Sequence, residues 1–504
     1  MATPHTETTR EPLAPTGVVE SFRYAFSSPA RLRREVLAGL TVALALIPEA
    51  IAFSILAGVD PALGLFASVI MAIAIAFTGG RPAMITAATG AVALVIAPVA
   101  REYGLDYFIA TVILAGVFQI VLGALGVAKL QRFIPRSVMI GFVNALGILI
   151  FSAQLEHLIN VPWPVYPLVA AGIAIIIFWP KITGAIPAPL ITIILLTGVV
   201  VAGGISVPTV SDMGELPTSL PGLFIPDVPL TLETLRIIGP YALGMAVVGL
   251  MESLMTAKLV DDITDSHSNK TRESWGQGVA NIASGLFGGM GGCAMIGQTM
   301  INVKESGART RLSTLLAGVF LLVLILLLGD IVGIIPMAAL VAIMIMVSVG
   351  TIDWHSVHPR TLKLMPASET IVMLVTVVAT LATSNLAVGV VLGVLTAMIA
   401  FARRVAHITH VERIEGPGPA TNTYRIHGQL FWASSNDLVY AFDYADSADH
   451  IIIDLSTAEI WDASTVATLD AITHKFEERG KTVTISGLHG PSKDRVDRLT
   501  GQLS

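Results

Sequence analysis

A helix that crosses a bilayer takes about 20 mostly apolar residues, and this chain supplies runs of that order twelve times. They begin near residues 35, 61, 107, 135, 165 and 187, and again near 235, 272, 308, 331, 369 and 384. Two further apolar pieces, at about 87 to 100 and 293 to 303, are too short to cross alone. About 14 residues of helix cover only part of a roughly 30 Å hydrocarbon core. The chain is therefore read as an all-α polytopic membrane protein of 14 segments, twelve full and two half. Composition supports this: 13% of the 504 residues are charged, against roughly 25% in a soluble protein. A net charge of -6 gives no reason to expect a nucleic-acid partner.

Basic residues orient the segments, because short loops rich in Lys and Arg stay in the cytoplasm. Arg31, Arg33 and Arg34 precede the first span, Lys129, Arg132 and Arg136 follow the fourth, and Lys258, Lys270 and Arg272 follow the eighth. Lys304, Arg309 and Arg311 follow the tenth, and Arg403 and Arg404 the last. A count of fourteen puts them all on one side, so both termini are expected in the cytosol. Residues 1–30 read as a disordered cytosolic tail, 31–405 as the membrane domain and 411–504 as a small soluble α/β domain. In the last, "YRIHGQLFWAS", "HIIIDLS" and "KTVTISGL" have strand character. "DASTVATLDAITHKFEERG" reads as an amphipathic helix with Asp462 or Ser464 near its start, and "SKDRVDRLTGQL" as a last helix.

Two short stretches interrupt the apolar pattern in the same way. "FTGGRPAMITAATGAV" (77–92) and "FGGMGGCAMIGQTMIN" (287–302) share a Phe, a glycine cluster and Ala-Met-Ile in that order. Lining them up brings Glu49, in "ALIPEAIAFSILAGV", opposite Glu252, in "VVGLMESLMTAKLV". A repeat with an odd number of spans per half is inverted in the membrane, here seven plus seven, and inverted repeats with broken helices mark secondary transporters. The N–H groups that open a helix lack internal partners and carry partial positive charge. Two such ends facing each other make an anion site without a buried Arg or Lys. Its expected polar caps are Thr86, Thr89 and Gly90 on one side and Gly297, Gln298 and Thr299 on the other. The stretches before the half helices are expected to pair as short strands. An ionisable side chain at mid-membrane is a functional candidate by default, so Glu49 and Glu252 are assigned to ion coupling. The carrier is expected to use a proton, with sodium the alternative: a carboxylate beside an anion site repels the substrate until it is protonated.

Bland readings compete at each point. A single glycine break is most simply a packing kink; the duplicated order is what argues against it. Lys258, six residues past Glu252, reads as a snorkelling surface lysine rather than its counter-ion. Neither glycine cluster has the Gly-Lys-Ser/Thr ending of a nucleotide loop, and no zinc spacing is present. No metal, cofactor or enzymatic role is expected.

"LTVALALIPEAIAFSILAGVDPALGLFASVI", "GLFGGMGGCAMIGQTMINVKESGARTRLS" and the later "IIIDLSTAEIWDAST", in that order, resemble the sulfate permease family of anion transporters from about residue 30 to 500. The resemblance implies a fold like the uracil permeases, a core and a gate domain, and a C-terminal sulfate-transporter and anti-sigma-factor-antagonist (STAS) domain. That domain is expected to be shortened, since relatives continue past "LTGQLS" with another strand and helix. The resemblance also implies a homodimer in the bacterial inner membrane, carrying sulfate, bicarbonate, chloride, oxalate or dicarboxylates. Its site would fall on Glu49, Phe53, Thr89, Gly90, Glu252, Gln298 and Thr299. Many members carry an Arg in the segment matching "AMIGQTMIN", where this chain has Gln298. A serine at the position of Ser464 is phosphorylated in soluble relatives; here it is expected to cap its helix. Anion channels, charge-sensing motors and signalling scaffolds are the other functional classes open to such a chain.

Overall fold

The computed structural model describes residues 15–126, 134–182, 188–214, 219–415 and 420–502. Lys129 and Arg132, used above to orient the chain, and residues 1–14 of the expected tail lie outside them. The chain forms two compact units, Met1–Gly393 and Val394–Ser504.

The expected disordered tail is in part a helix. α1 (Val18–Phe26) buries Ser21 and Ala25, packs on the two helices that follow Pro29 and Thr310, and its Ser21 hydroxyl accepts the N–H of Arg311 at 3.0 Å. Alternation of apolar and polar residues at helical spacing in "VVESFRYAF" is the reason. Then come α2 (Pro29–Ala57), α3 (Pro61–Thr78), a three-residue strand β1 (Thr86–Ala88) and the half-length α4 (Gly90–Tyr103). α5 (Leu105–Ala124), α6 (Arg136–Leu155), α7 (Val165–Ile182) and α8 (Ala188–Gly203) complete the first half.

The second half repeats that order. α9 (Leu232–Thr264), α10 (Lys270–Leu286) and β2 (Gly292–Ala294) lead to α11 (Ile296–Met300), which a π turn over Ile301–Glu305 prolongs. α12 (Arg311–Gly333), α13 (Met337–Thr351), a short α14 (Pro359–Leu364), α15 (Ala367–Thr383) and α16 (Leu386–Ala406) follow. Packing obeys the same twofold relation. α2 lies on α12 and α9 on α5; α3 lies on α12 and α10 on α5; α6 lies on α15 and α13 on α7. This is the seven-plus-seven inverted repeat, with α2–α5 and α9–α12 in one bundle and α6, α7, α8, α13 and α15 in another. The symmetry fails between the bundles: α2 rests against α13, while the related α9 has no comparable contact with α6.

α10 departs from the apolar span expected there. Its Glu273, Gln277, Asn281 and Ser284 are all buried and lie on one helical face at spacings of four and three. Each holds a chain break. Glu273 accepts the N–H groups of Gly80 (2.7 Å) and Arg81 (3.1 Å), and Gln277 donates to Thr86 Oγ1 at 2.9 Å. Asn281 both donates to Gly292 O (3.1 Å) and accepts its N–H (3.0 Å), and Ser284 donates to Met290 O at 2.7 Å. A backbone that leaves its helix inside a bilayer must find partners within the protein, and this polar stripe supplies them. Arg81 pairs with Asp261 at 2.9 Å, so the arginine of the first break ends in an ion pair.

The second unit, described by itself, continues from α16 into β3 (His410–Glu415), β4 (Thr421–Leu430), α17 (Trp432–Leu438), β5 (His450–Ile460), α18 (Ala463–Glu477), β6 (Thr482–Ser486) and α19 (Gly490–Leu499). The sheet order is β3-β4-β5-β6, antiparallel at its first edge and parallel thereafter. Alternate residues of β4 and β5, among them Ile426, Ile451, Ile453 and Leu455, meet Val466, Leu469, Ile472 and Phe476 of α18 in its core. Asp462, not Ser464, caps α18, accepting the N–H of Thr465 at 3.0 Å; Ser464 is exposed. Asp446 is buried and accepts hydrogen bonds from Arg413 (2.8 Å), Tyr424 (2.6 Å), Asn422 (2.7 Å) and the N–H of Ala448 (3.0 Å). Burial opposes its ionisation, but the Arg413 and Tyr424 hydrogen bonds, with those from Ala448 and Asn422, hold its carboxyl well below the usual carboxylate range.

Candidate functional site

β1 and β2 cross as an antiparallel pair with Ala87 opposite Cys293, flanked by Thr86–Ala294 and Ala88–Gly292. The expected strand pairing is present, in a different register from the Ala-Met-Ile words that suggested it. Ala83-Met84-Ile85 ends before β1 begins, whereas Ala294 is the last residue of β2 and Met295-Ile296 follow it. The repeat is real in the backbone, and the matching tripeptides are not its equivalent positions. Close approach is what demands glycine: a Cβ on Gly292 would stand 2.0 Å from the carbonyl oxygen of Ala87.

Immediately after each strand a helix starts, α4 with Thr89 as its N-cap and α11 with Met295. The opening residues of both, Thr89, Gly90 and Ala91 from one and Met295, Ile296, Gly297 and Gln298 from the other, line one cavity of about 370 Å³. Neither N-cap side chain satisfies the free N–H groups of its own helix, so both sets of donors remain available to a ligand. α2 contributes Glu49 and Phe53, and α9 contributes Glu252 and Met255. Counted from Pro29 and from Leu232, Glu49 and Glu252 are each the twenty-first residue of their helix. Phe142, Leu146, Val347 and Gly350 of α6 and α13 close the opposite wall. A Cβ on Gly90 would lie 2.8 Å from the Phe53 ring, so glycine there lets the ring cover the helix end.

The two carboxyls have different partners. Gln298, at the start of α11, is the polar side chain beside Glu49 on the cavity wall. The Cys293 thiol donates to Glu252 Oε2 at 2.9 Å, and its sulfur also lies 3.1 Å from Thr89 Oγ1. Among the described residues lining the cavity, Glu49 and Glu252 are the charged side chains and no Lys or Arg is present. No group of three His, Cys, Asp or Glu side chains among the described residues is arranged to hold a metal ion.

Of the eight residues assigned to the site from sequence, Glu49, Phe53, Thr89, Gly90, Glu252, Gly297 and Gln298 meet around this cavity. Thr299 does not: it is fully buried, and its hydroxyl accepts the N–H of Ile85 at 3.0 Å. Thr86 is likewise turned away, onto Gln277. Lys258 is exposed, as a snorkelling residue should be. Sequence reasoning missed Cys293, whose signal was its position inside the second break. It also missed the α6 and α13 wall, whose residues look like any other lipid-spanning helix.

The model of the sulfate permease family matches residues 32–166 and 160–376, and that of the STAS domain matches residues 411–501. The chain is 49% identical over 468 residues to the Bacillus subtilis protein named "Putative sulfate transporter YbaR", covering 93% of this chain and 97% of that one. The transmembrane domain of a cyanobacterium bicarbonate transporter, BicA, is similar at 28% identity and a TM-score of 0.63, over 74% of this chain and 98% of that one. The murine Slc26a9 anion transporter in its inward-facing state shares the fold with a TM-score of 0.81 at 15% identity, over 98% of this chain and 92% of the other.

Proposed function

The chain belongs to the sulfate permease family of anion transporters, and on that footing we propose that it is a secondary active carrier coupled to protons. Its cargo is a small inorganic anion or four-carbon dicarboxylate, moved by alternating access. The observation that carries this reading is the cavity between α4 and α11. Two helix N-termini offer N–H donors and partial positive charge, while two carboxyl groups and no cation stand on the wall. Amide donors hold an anion without charge of their own, so the sign of the site is set by the carboxyls. With Glu49 ionised an anion is repelled; with Glu49 protonated the donors act unopposed. Binding of anion and proton is then mutually favourable, the condition for symport. Glu49 is assigned the coupling proton because it lines the cavity beside Gln298, on the half helix that holds the anion.

Sodium is the rival coupling ion, favoured by the oxygen-rich side of the cavity, where the Glu252 carboxylate and Thr89 hydroxyl both lie against Cys293. A cytosolic side for both termini and a homodimeric state belong to the same reading. Counterflow in proteoliposomes with sulfate, bicarbonate, chloride and succinate tests it, with proton and sodium gradients imposed in turn. Saturable counterflow stimulated by an inward proton gradient is expected. Unsaturable flux would indicate a channel, and stimulation by sodium alone would move the coupling to Glu252. Deleting residues 411–504 should leave transport in place, whereas a signalling scaffold would lose its function.

A further inference from the structure

Thr89, Cys293 and Glu252 form a line of three groups, hydroxyl, thiol and carboxyl, with separations of 3.1 and 2.9 Å. The hydroxyl and carboxyl face the cavity, and the thiol is buried between them. Hydroxyl and thiol have one proton each, and an ionised carboxylate has none. The protonation state of Glu252 therefore sets the direction of the chain. With Glu252 ionised, Cys293 donates to Oε2 and Thr89 donates to the sulfur, leaving only lone pairs of Thr89 toward the cavity. With a proton on Oε2, the carboxyl donates to the sulfur, the thiol donates to Thr89 Oγ1, and the hydroxyl proton turns into the cavity.

We propose that Thr89–Cys293–Glu252 is a hydrogen-bond switch that directs the Thr89 hydroxyl at the bound anion when Glu252 takes up a proton. It rests on the anion-carrier reading above and assigns Cys293 a positioning role in coupling. The proton comes from water in the cavity; one O–H bond forms on Glu252, and the other two groups only rotate. The device exists on one side of the repeat, since Ala87 stands opposite Cys293 in the strand pair and Glu49 is met by Gln298 instead. Few other ionisable groups approach. Glu49 faces Glu252 from α2 across the cavity, and Glu273 on α10 is held by the Gly80 and Arg81 amides. Arg101 and Asp106 lie at the remote ends of α4 and α5, and Lys258 on α9 itself is exposed.

The test is equilibrium binding of sulfate and of chloride, neither of which titrates between pH 6 and 8, to the purified full-length protein. Wild type should bind more tightly at pH 6. Thr89→Val should weaken binding roughly tenfold at pH 6, the loss of one hydrogen bond to a charged group, and by less than about twofold at pH 8, where wild type has no proton to offer. Cys293→Ala should do the opposite, tightening binding several-fold at pH 8 by freeing the hydroxyl and leaving pH 6 unchanged. Cys293→Ser, which relays in the same way, should match wild type. Equal weakening at both pH values in Thr89→Val and Cys293→Ala would mean a packing role and overturn the switch. So would unchanged alkaline affinity in Cys293→Ala, or a wild type that transports anions without pH dependence. A wild type that neither binds nor transports any of these anions would remove the carrier reading itself, and the switch with it.

Discussion

Replacing Glu49 by Gln removes an ionisable group from the anion cavity while keeping its shape and its contact with Gln298. An anion centred in a cavity of about 370 Å³ lies about 5 Å from a carboxylate on the wall, where two unit charges repel by about 3 kcal/mol at an effective dielectric near 20. At about 1.4 kcal/mol per decade, each anion charge loses roughly two orders of magnitude in affinity when Glu49 ionises. The variant should hold chloride at pH 8.5 about 100-fold more tightly than wild type does, and the two should converge at acid pH, where wild-type Glu49 is neutral. Isothermal titration in detergent measures the affinities. Proteoliposome uptake reads the coupling: Glu49→Gln should keep counterflow, which needs only binding and reorientation, and lose most of its response to an inward proton gradient. A variant that still concentrates anion under that gradient to the wild-type level, or whose affinity keeps the full wild-type pH dependence, refutes the assignment of the coupling proton to Glu49.

Gly292→Ala should abolish transport and lower the yield of folded protein, because its Cβ would stand 2.0 Å from the Ala87 carbonyl. Gly198→Ala, on α8 with nothing within 4 Å of the added atom, should behave as wild type in the same size-exclusion and uptake assays. Thr299→Val leaves the Ile85 N–H without its partner, which should destabilise the membrane unit by about 1–3 kcal/mol. It should leave anion affinity within about twofold of wild type; a larger affinity loss in a folded variant would return Thr299 to the cavity. In the second unit, Asp446→Asn should cost about 1–3 kcal/mol at neutral pH by replacing the charged acceptor of the buried Tyr424 hydroxyl, seen as faster amide exchange in β4 and β5 of the full chain. Because the Asp446 carboxyl is held below its ordinary value, its contribution is complete above the unfolded value near pH 4 and fades as pH falls further. Wild type and variant should therefore converge in strong acid, and a constant difference would contradict the assignment.

The spans were legible because twenty apolar residues have little alternative to crossing a bilayer, and the two breaks because each pairs glycines with a mid-helix glutamate. What misled was spelling. Ala-Met-Ile occurs in both breaks, yet the strand ladder aligns Ala87 with Cys293 and leaves the two words out of register. Backbone symmetry constrains where chains cross, not which side chains occupy related positions. α10 was misread for a related reason. Its Glu273, Gln277, Asn281 and Ser284 leave it far less apolar than the other spans, but no one-dimensional pattern says that a polar stripe faces two broken chains rather than solvent. Thr299 looked like a cap because a threonine near a helix start usually is one; its hydroxyl went instead to Ile85, a residue 214 positions away. The capping of α18 by Asp462 rather than Ser464 was within reach of the sequence, since the cap donors of that helix lie three residues after the aspartate.

The unequal seating of α2 and α9 has a consequence for the working cycle. If the chain works by the alternating access proposed above, the related halves trade environments, and the second arrangement has α9 pressed on α6 and α2 lifted from α13. A carrier of this design needs no separate instruction for its opposite orientation. The free-energy difference between the two orientations would then lie in the residue pairs that differ between the halves, of which Cys293 facing Ala87 is one.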